Sequence, residues 1–156
     1  MKSLQFRVVR SCAAALVLLA ASTAPFAQSM DDVPVDALLA QAQAAFRQID
    51  ARNAASVWDN ASPVMRGAVK RDEFVSRVEG DRSDVGAITG RTWQNISRAL
   101  NTEGNADRIP AGYYININSL AQDGNGKLIR ELISFRLDND RKWRMTGYVA
   151  QKVDSK

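Results

Sequence analysis

The stretch Asp123–Trp143, DGNGKLIRELISFRLDNDRKW, decides how this chain folds. It opens on Asp123-Gly124-Asn125-Gly126 and closes on Asp138-Asn139-Asp140, two clusters whose residues favour tight hairpin turns. Between them Leu128–Leu137 repeats with a period of two. Ile129, Ile133, Phe135 and Leu137 fall on one face, and Arg130, Ser134 and Arg136 fall on the other. Alternation of this kind makes a strand with one face buried. A hairpin at each end places that strand in the middle of an antiparallel meander.

The same period continues over Lys142–Val153, where Trp143, Met145 and Val149 oppose Arg144, Thr146 and Tyr148. On the other side, Tyr113–Ala121 and Thr92–Leu100 supply two further strands. Gly80–Gly90, with Asp81, Ser83, Asp84 and Gly86, reads as a loop. Upstream of it the period becomes helical. Leu38, Leu39, Ala42, Ala45, Phe46 and Ile49 form one stripe on a helix of about 18 residues, entered at Asp32 and Pro34 and ending near Arg52-Asn53. A second helical segment carries Ala55, Val57, Trp58 and Ala61 and is interrupted at Ser62-Pro63. There Ser62 can cap a new turn with Pro63 in its first position, and Val64, Met65, Ala68 and Val69 continue the buried face. A short helix with Phe74, Val75 and Val78 follows, begun by Asp72 and Glu73 and stopped by Gly80. The expected architecture is α+β, about three N-terminal helices packed on a four-stranded antiparallel meander sheet, cone-like in form.

The first 29 residues have a different character. Lys2, Arg7 and Arg10 precede an uninterrupted small and apolar run, Ser11–Ala21, and a polar segment containing Pro25 follows. That order is the recipe of a secretory signal peptide. Eleven residues at about 1.5 Å each cover roughly half of a ~30 Å hydrocarbon core, too little for a permanent span. The expected layout is a signal peptide over residues 1–29, cleaved after Ala27 or Ser29, and a single domain over 30–156 in the periplasm or secreted. Cys12, near the start of the apolar run, leaves with the signal. So do three of the 21 Lys and Arg, which leaves 18 against 17 Asp and Glu. The basic balance is therefore mostly leader, and nucleic acid is not an expected partner.

The domain left behind has neither Cys nor His. Disulfides, Ser-His-Asp and Cys-His catalysis and nearly all zinc or copper sites are excluded on composition, and no metal or cofactor is expected. Asp123-Gly124-Asn125-Gly126 begins like a calcium loop, but Lys127 and Leu128 stand where an oxygen ligand and a glycine are needed. What chemistry remains would need carboxylates, phenols and guanidiniums. Asp50 or Asp59 from the helices could meet Tyr113, Tyr114 or Tyr148 from the sheet, and a desolvated Asp beside a phenol can move a proton. The alternative for Asp50 is a structural ion pair with Arg91 or Arg82. Trp58, Arg82, Arg91 and Tyr148 are the candidates for holding a ligand.

Ile49-Asp50, Trp58 with Ala61-Ser62, Arg82, Gly86, Arg91, and Trp143-Arg144 with Gly147-Tyr148 occur in an order that resembles a family of small exported bacterial proteins, domain of unknown function 4019. The resemblance spans roughly residues 36 to 150. The element order is also similar to part of the cone-shaped nuclear-transport-factor-two-like and cystatin-like folds. Such folds host enzymes and pure binding modules alike, so the resemblance implies a fold and no activity. The expected function is a non-enzymatic exported domain that binds a small ligand or an envelope protein. The alternatives are a cone-pocket isomerase or lyase using an Asp and a Tyr, and a homodimerising envelope subunit.

Overall fold

The computed structural model describes residues 33–102 and 109–153. The leader, its cleavage points, Cys12 and the Asp32 cap lie outside the described residues. Among those described, four helices precede four strands: α1 (Val35–Asp50), α2 (Ala54–Asp59), α3 (Pro63–Ala68), α4 (Arg71–Asp81), β1 (Ile88–Asn101), β2 (Gly112–Asp123), β3 (Leu128–Leu137) and β4 (Trp143–Lys152). The strands form one antiparallel sheet in the order β1-β2-β3-β4, the expected meander. The α+β class holds, with four helices where about three were expected. Ser62-Pro63 separates α2 from α3, and the Ser62 hydroxyl accepts from the Val64 N–H at 3.2 Å as the cap. Gly80 does not stop α4. The helix runs on to Asp81, and Arg82 is its C-cap residue.

The α1 stripe buries Leu38, Ala42, Phe46 and Ile49 against Ile115, Ile117, Ile133 and Phe135 of the sheet. Phe46 lies at the centre, its ring 6.0 Å from Trp93 and 6.2 Å edge-on from Tyr148. Burial of each large apolar side chain of this set contributes about 1.5–3 kcal/mol. Two further tethers fix the helices to the sheet. The Ser62 N–H donates to the Met145 carbonyl at 2.8 Å, and the Ser62 hydroxyl donates to Asp138 at 2.6 Å. Both pull the start of α3 onto the β4 edge.

The strand phases depart from simple alternation at one informative place. Ser134 pairs with Gly147 but Phe135 pairs with Met145, so Thr146 is an extra residue on β4. A bulge of this kind resets which side chains point inward. Met145 and Tyr148 are consequently both buried, whereas Val149 is 46% exposed. The expectation that Val149 shares the buried face with Met145, opposite Tyr148, is wrong for that reason. On β1 the register slips in the same way at Thr89 and at Gln94.

Candidate functional site

Four charged side chains converge beneath α1. Asp50 is the last residue of α1, Arg82 caps α4, Arg91 comes from β1 and Glu131 from β3. Arg82 Nη2 donates to Asp50 at 2.5 Å, while its Nη1 donates to Glu131 at 2.6 Å and to the Tyr148 hydroxyl at 3.2 Å. Arg91 Nε donates to the other Glu131 oxygen at 2.7 Å, and its Nη atoms reach Asp50 at 3.2 Å. The Tyr148 hydroxyl also donates to Glu131, at 2.9 Å. Two guanidiniums thus meet two carboxylates, and the cluster is neutral as a whole.

Electrostatics explain why each member belongs there. Asp50 sits at the negative end of α1, an unfavourable place for a carboxylate, and the two arginines offset that end. Arg82 is itself well placed at the C-terminus of α4. Glu131 is wholly buried, so its charge survives only because it is paired and hydrogen-bonded. Arg91 also lies 4.2 Å over the Phe46 ring, a cation–π contact. Burial lowers the basicity of both arginines, but their partners outweigh it and hold them above the ordinary value. Burial, and then the Glu131 charge, push the Tyr148 phenol well above its usual range. A phenol in that state holds its proton and donates it to Glu131. The cluster's donors and acceptors face one another, and its chemistry is that of a clamp joining α1, α4, β1, β3 and β4.

The second feature is an open cleft of about 440 Å³ between α3 and the sheet face opposite the core. Val64, Met65 and Ala68 form the helical wall. Asn116, Ser134 and Gly147, which face one another across three strands, form the floor. Tyr114 and Leu100 close the far side, and the Tyr114 hydroxyl is fixed by donation to the Pro110 carbonyl at 2.7 Å. The Ser134 hydroxyl donates to Asn116 Oδ1 at 2.7 Å. Gly147 leaves a gap in the floor, since a Cβ placed there would meet no atom within 4 Å. All thirteen lining residues are uncharged, in a chain of which 24% is charged.

The residues singled out in the sequence divide cleanly. Asp50, Arg82, Arg91 and Tyr148 come together in the cluster, with the ion pairs of Asp50 made to both arginines. Asp59 is elsewhere, on the surface, held by Arg71 through two bonds of 2.8 and 2.9 Å. Tyr113 lies on β2 opposite Leu100, away from the cluster. The Trp58 ring is half-buried against the core and its N–H donates to the Val69 carbonyl at 3.0 Å. Tyr114, the third phenol named as a possible partner of Asp50 or Asp59, lies in the cleft wall instead, and none of the others lines the cleft. Sequence reasoning missed Glu131 and Gly147. The signal for Glu131 was present: it occupies the apolar phase of β3 between Ile129 and Ile133, where a charge needs a partner.

A family described as protein of unknown function (DUF4019) matches residues 41–148, which include the whole cluster and every residue that lines the cleft. No curated protein matches the chain.

Proposed function

We propose that this chain, which belongs to the DUF4019 family of proteins of unknown function, is an exported, non-enzymatic binding domain whose cleft beside α3 takes a small neutral ligand. The uncharged lining carries the reading. A concavity of about 440 Å³ falls in the size range of small-molecule sites, and such sites combine apolar walls with a few placed polar groups. Here Val64, Met65, Ala68 and Leu100 are the walls, and the Asn116 amide and the Ser134 and Thr146 hydroxyls are the polar groups. A charged ligand would leave its counter-charge in solvent, so a neutral one is favoured. Gly147 supports the same reading, because a glycine within a strand often marks the place where another molecule approaches closely. Export is supported by the cationic and apolar order of residues 2–21.

The cleft can be blocked without disturbing the fold. Gly147→Val adds a side chain where a Cβ has open space, and Val suits a strand better than Gly does. The probe is N-phenyl-1-naphthylamine, a neutral apolar fluorophore. Saturable binding to the native chain, weakened by about tenfold or more in Gly147→Val, is the expected result. Equal binding by both proteins would place the probe elsewhere and overturn the reading.

A further inference from the structure

We infer that the ligand of the cleft carries a carbonyl oxygen: a neutral ketone or ester whose oxygen accepts from the Asn116 amide while its apolar body lies across Gly147. This ligand class rests on the cleft reading above and deepens it. Five lining residues have polar side chains, and four of them use their donors within the protein. Asn101 Nδ2 donates to the Ile109 and Pro110 carbonyls at 2.9 and 3.3 Å, and the Tyr114 hydroxyl donates to the Pro110 carbonyl at 2.7 Å. The Ser134 hydroxyl donates to Asn116 Oδ1 at 2.7 Å, and the Thr146 hydroxyl donates to the Ser134 carbonyl at 3.3 Å. Asn116 Nδ2 has no partner among the described residues. Among those residues the sealed side-chain atom without a partner is Arg136 Nε, so Nδ2 is reachable from the cleft that Asn116 lines. Turning the amide over leaves the count unchanged. Asn116 and Ser134 hold three donor protons, the bond between them uses one, and two stay unused in either orientation.

A donor shut away from water without an acceptor is costlier than an oxygen that keeps a spare lone pair. A ligand that displaces water from this floor must therefore bring an acceptor to Asn116, whereas the Tyr114, Ser134 and Thr146 oxygens tolerate an apolar neighbour. A hydrocarbon would dry the amide and return nothing to it. A carboxylate would bring an acceptor together with a charge that none of the lining residues balances. A carbonyl oxygen supplies the acceptor with no charge and no proton of its own. Position sets the rest of the molecule. Asn116, Ser134 and Gly147 lie in one row across β2, β3 and β4, so the amide stands two strand spacings, about 10 Å, from Gly147. There a Cβ would meet no atom within 4 Å, and the apolar end of the ligand has its room.

The probes are 2-acetylnaphthalene and 2-ethylnaphthalene, which share a shape and differ in a carbonyl against a methylene. Equilibrium dialysis of the chain, expressed from Met1 and purified as the cell delivers it, gives both dissociation constants. Asn116→Leu keeps the volume of the side chain and removes its donor. The ratio of the constants, hydrocarbon over ketone, should fall in that variant by about fivefold or more. Ser134→Ala leaves the amide NH2 in place and should hold the native ratio. A ratio that Asn116→Leu leaves unchanged overturns the inference, as does one that falls equally in Ser134→Ala, or a ketone that does not bind. Gly147→Val should weaken both probes together. If it does so while the ratio ignores Asn116, the cleft stands and the carbonyl preference is wrong. If Gly147→Val binds both probes as the native chain does, the cleft reading fails and this ligand class fails with it.

Discussion

Replacing Glu131 with Gln keeps the volume of the side chain and removes its charge, which makes it the sharpest test of the buried clamp. The carboxylate accepts from Arg82 Nη1 at 2.6 Å, Arg91 Nε at 2.7 Å and the Tyr148 hydroxyl at 2.9 Å, with the Ser119 hydroxyl at 3.4 Å. Both of its oxygens face donors. A glutamine offers one oxygen and one NH2, so whichever way the amide turns, an N–H confronts an arginine N–H or the phenol. The balance of two positive and two negative charges also becomes a net positive charge beneath α1. Loss of one partner from a buried pair costs about 3–5 kcal/mol. Two charge-assisted hydrogen bonds at about 1.5–3 kcal/mol each give the same figure. For a domain of this size that corresponds to a fall in Tm of roughly 10–20 °C. Urea unfolding at constant m measures it directly. A companion variant, Glu131→Leu with Arg82→Met, Arg91→Met and Asp50→Asn, removes all four charges together and should recover at least half of the loss, because no member of the cluster is then left charged without its partner. If Glu131→Gln lies within about 1 kcal/mol of the native protein, the claim that paired charge holds these elements together is wrong.

Three further outcomes follow from the same geometry. The Tyr148 phenol is held above its ordinary value of 10.0, so its contribution to stability is complete below that pH and is lost as pH rises beyond it. Ultraviolet titration of the native chain against Tyr148→Phe should show this phenol ionising only on alkaline unfolding, and ionisation near pH 10 in the folded state would contradict the burial argument. Asp84, bonded by Lys127 and Lys152, and Asp140, bonded by Arg144, have their carboxyls lowered from 3.8 to about 2. Their contributions are present above the ordinary value and disappear as pH falls from there to about 2, and carboxyl NMR of Lys127→Met with Lys152→Met should show Asp84 moving back up. Ser62→Ala removes both a helix cap and the donor to buried Asp138, at a cost of about 1–3 kcal/mol in urea unfolding; an unchanged midpoint would count against the tether.

How much of this was legible in the sequence depends on which interaction sets each feature. Local pattern sets the meander: the turns at Asp123–Gly126 and Asp138–Asp140 and the alternation of Leu128–Leu137 give β3 and both of its hairpins. Local pattern equally sets the α1 stripe and the Ser62-Pro63 boundary. The phase of β4 after Thr146 is another matter, since a bulge is chosen by how two strands fit and leaves no mark in the alternation of either one. That single extra residue turns Tyr148 inward toward Glu131, so the error in strand phase and the incomplete picture of the cluster are one and the same. Asp50 with Arg82 and Arg91 could be foreseen as partners from their charges. The geometry that binds all three to Glu131 could not, because it depends on β3 and β4 being in register with the bulge in place.

The cleft was invisible for a complementary reason. Its lining is assembled from α3, from Ile109 and Pro110 ahead of β2, and from residues of all four strands, among them Asn116, Ser134 and Gly147, positions where polar or small side chains pass for an ordinary solvent face. A glycine in β4 reads as a weak point of the strand until α3 is seen beside it. The same bulge bears on both sites. Thr146 is the extra residue, and its hydroxyl donates to the Ser134 carbonyl at 3.3 Å across the strand pair. On one side of the sheet this arrangement delivers Tyr148 to the charge cluster, and on the other it delivers Gly147 to the cleft floor. Deleting Thr146 removes only the extra residue and leaves Gly147 opposite Ser134 and Tyr148 opposite Ile133, so both side chains keep their faces in a regular ladder. The deletion variant should therefore keep both the stability that the cluster supplies and its probe binding, and loss of both at once would show that the phase of β4 after Met145 is set by more than this one residue.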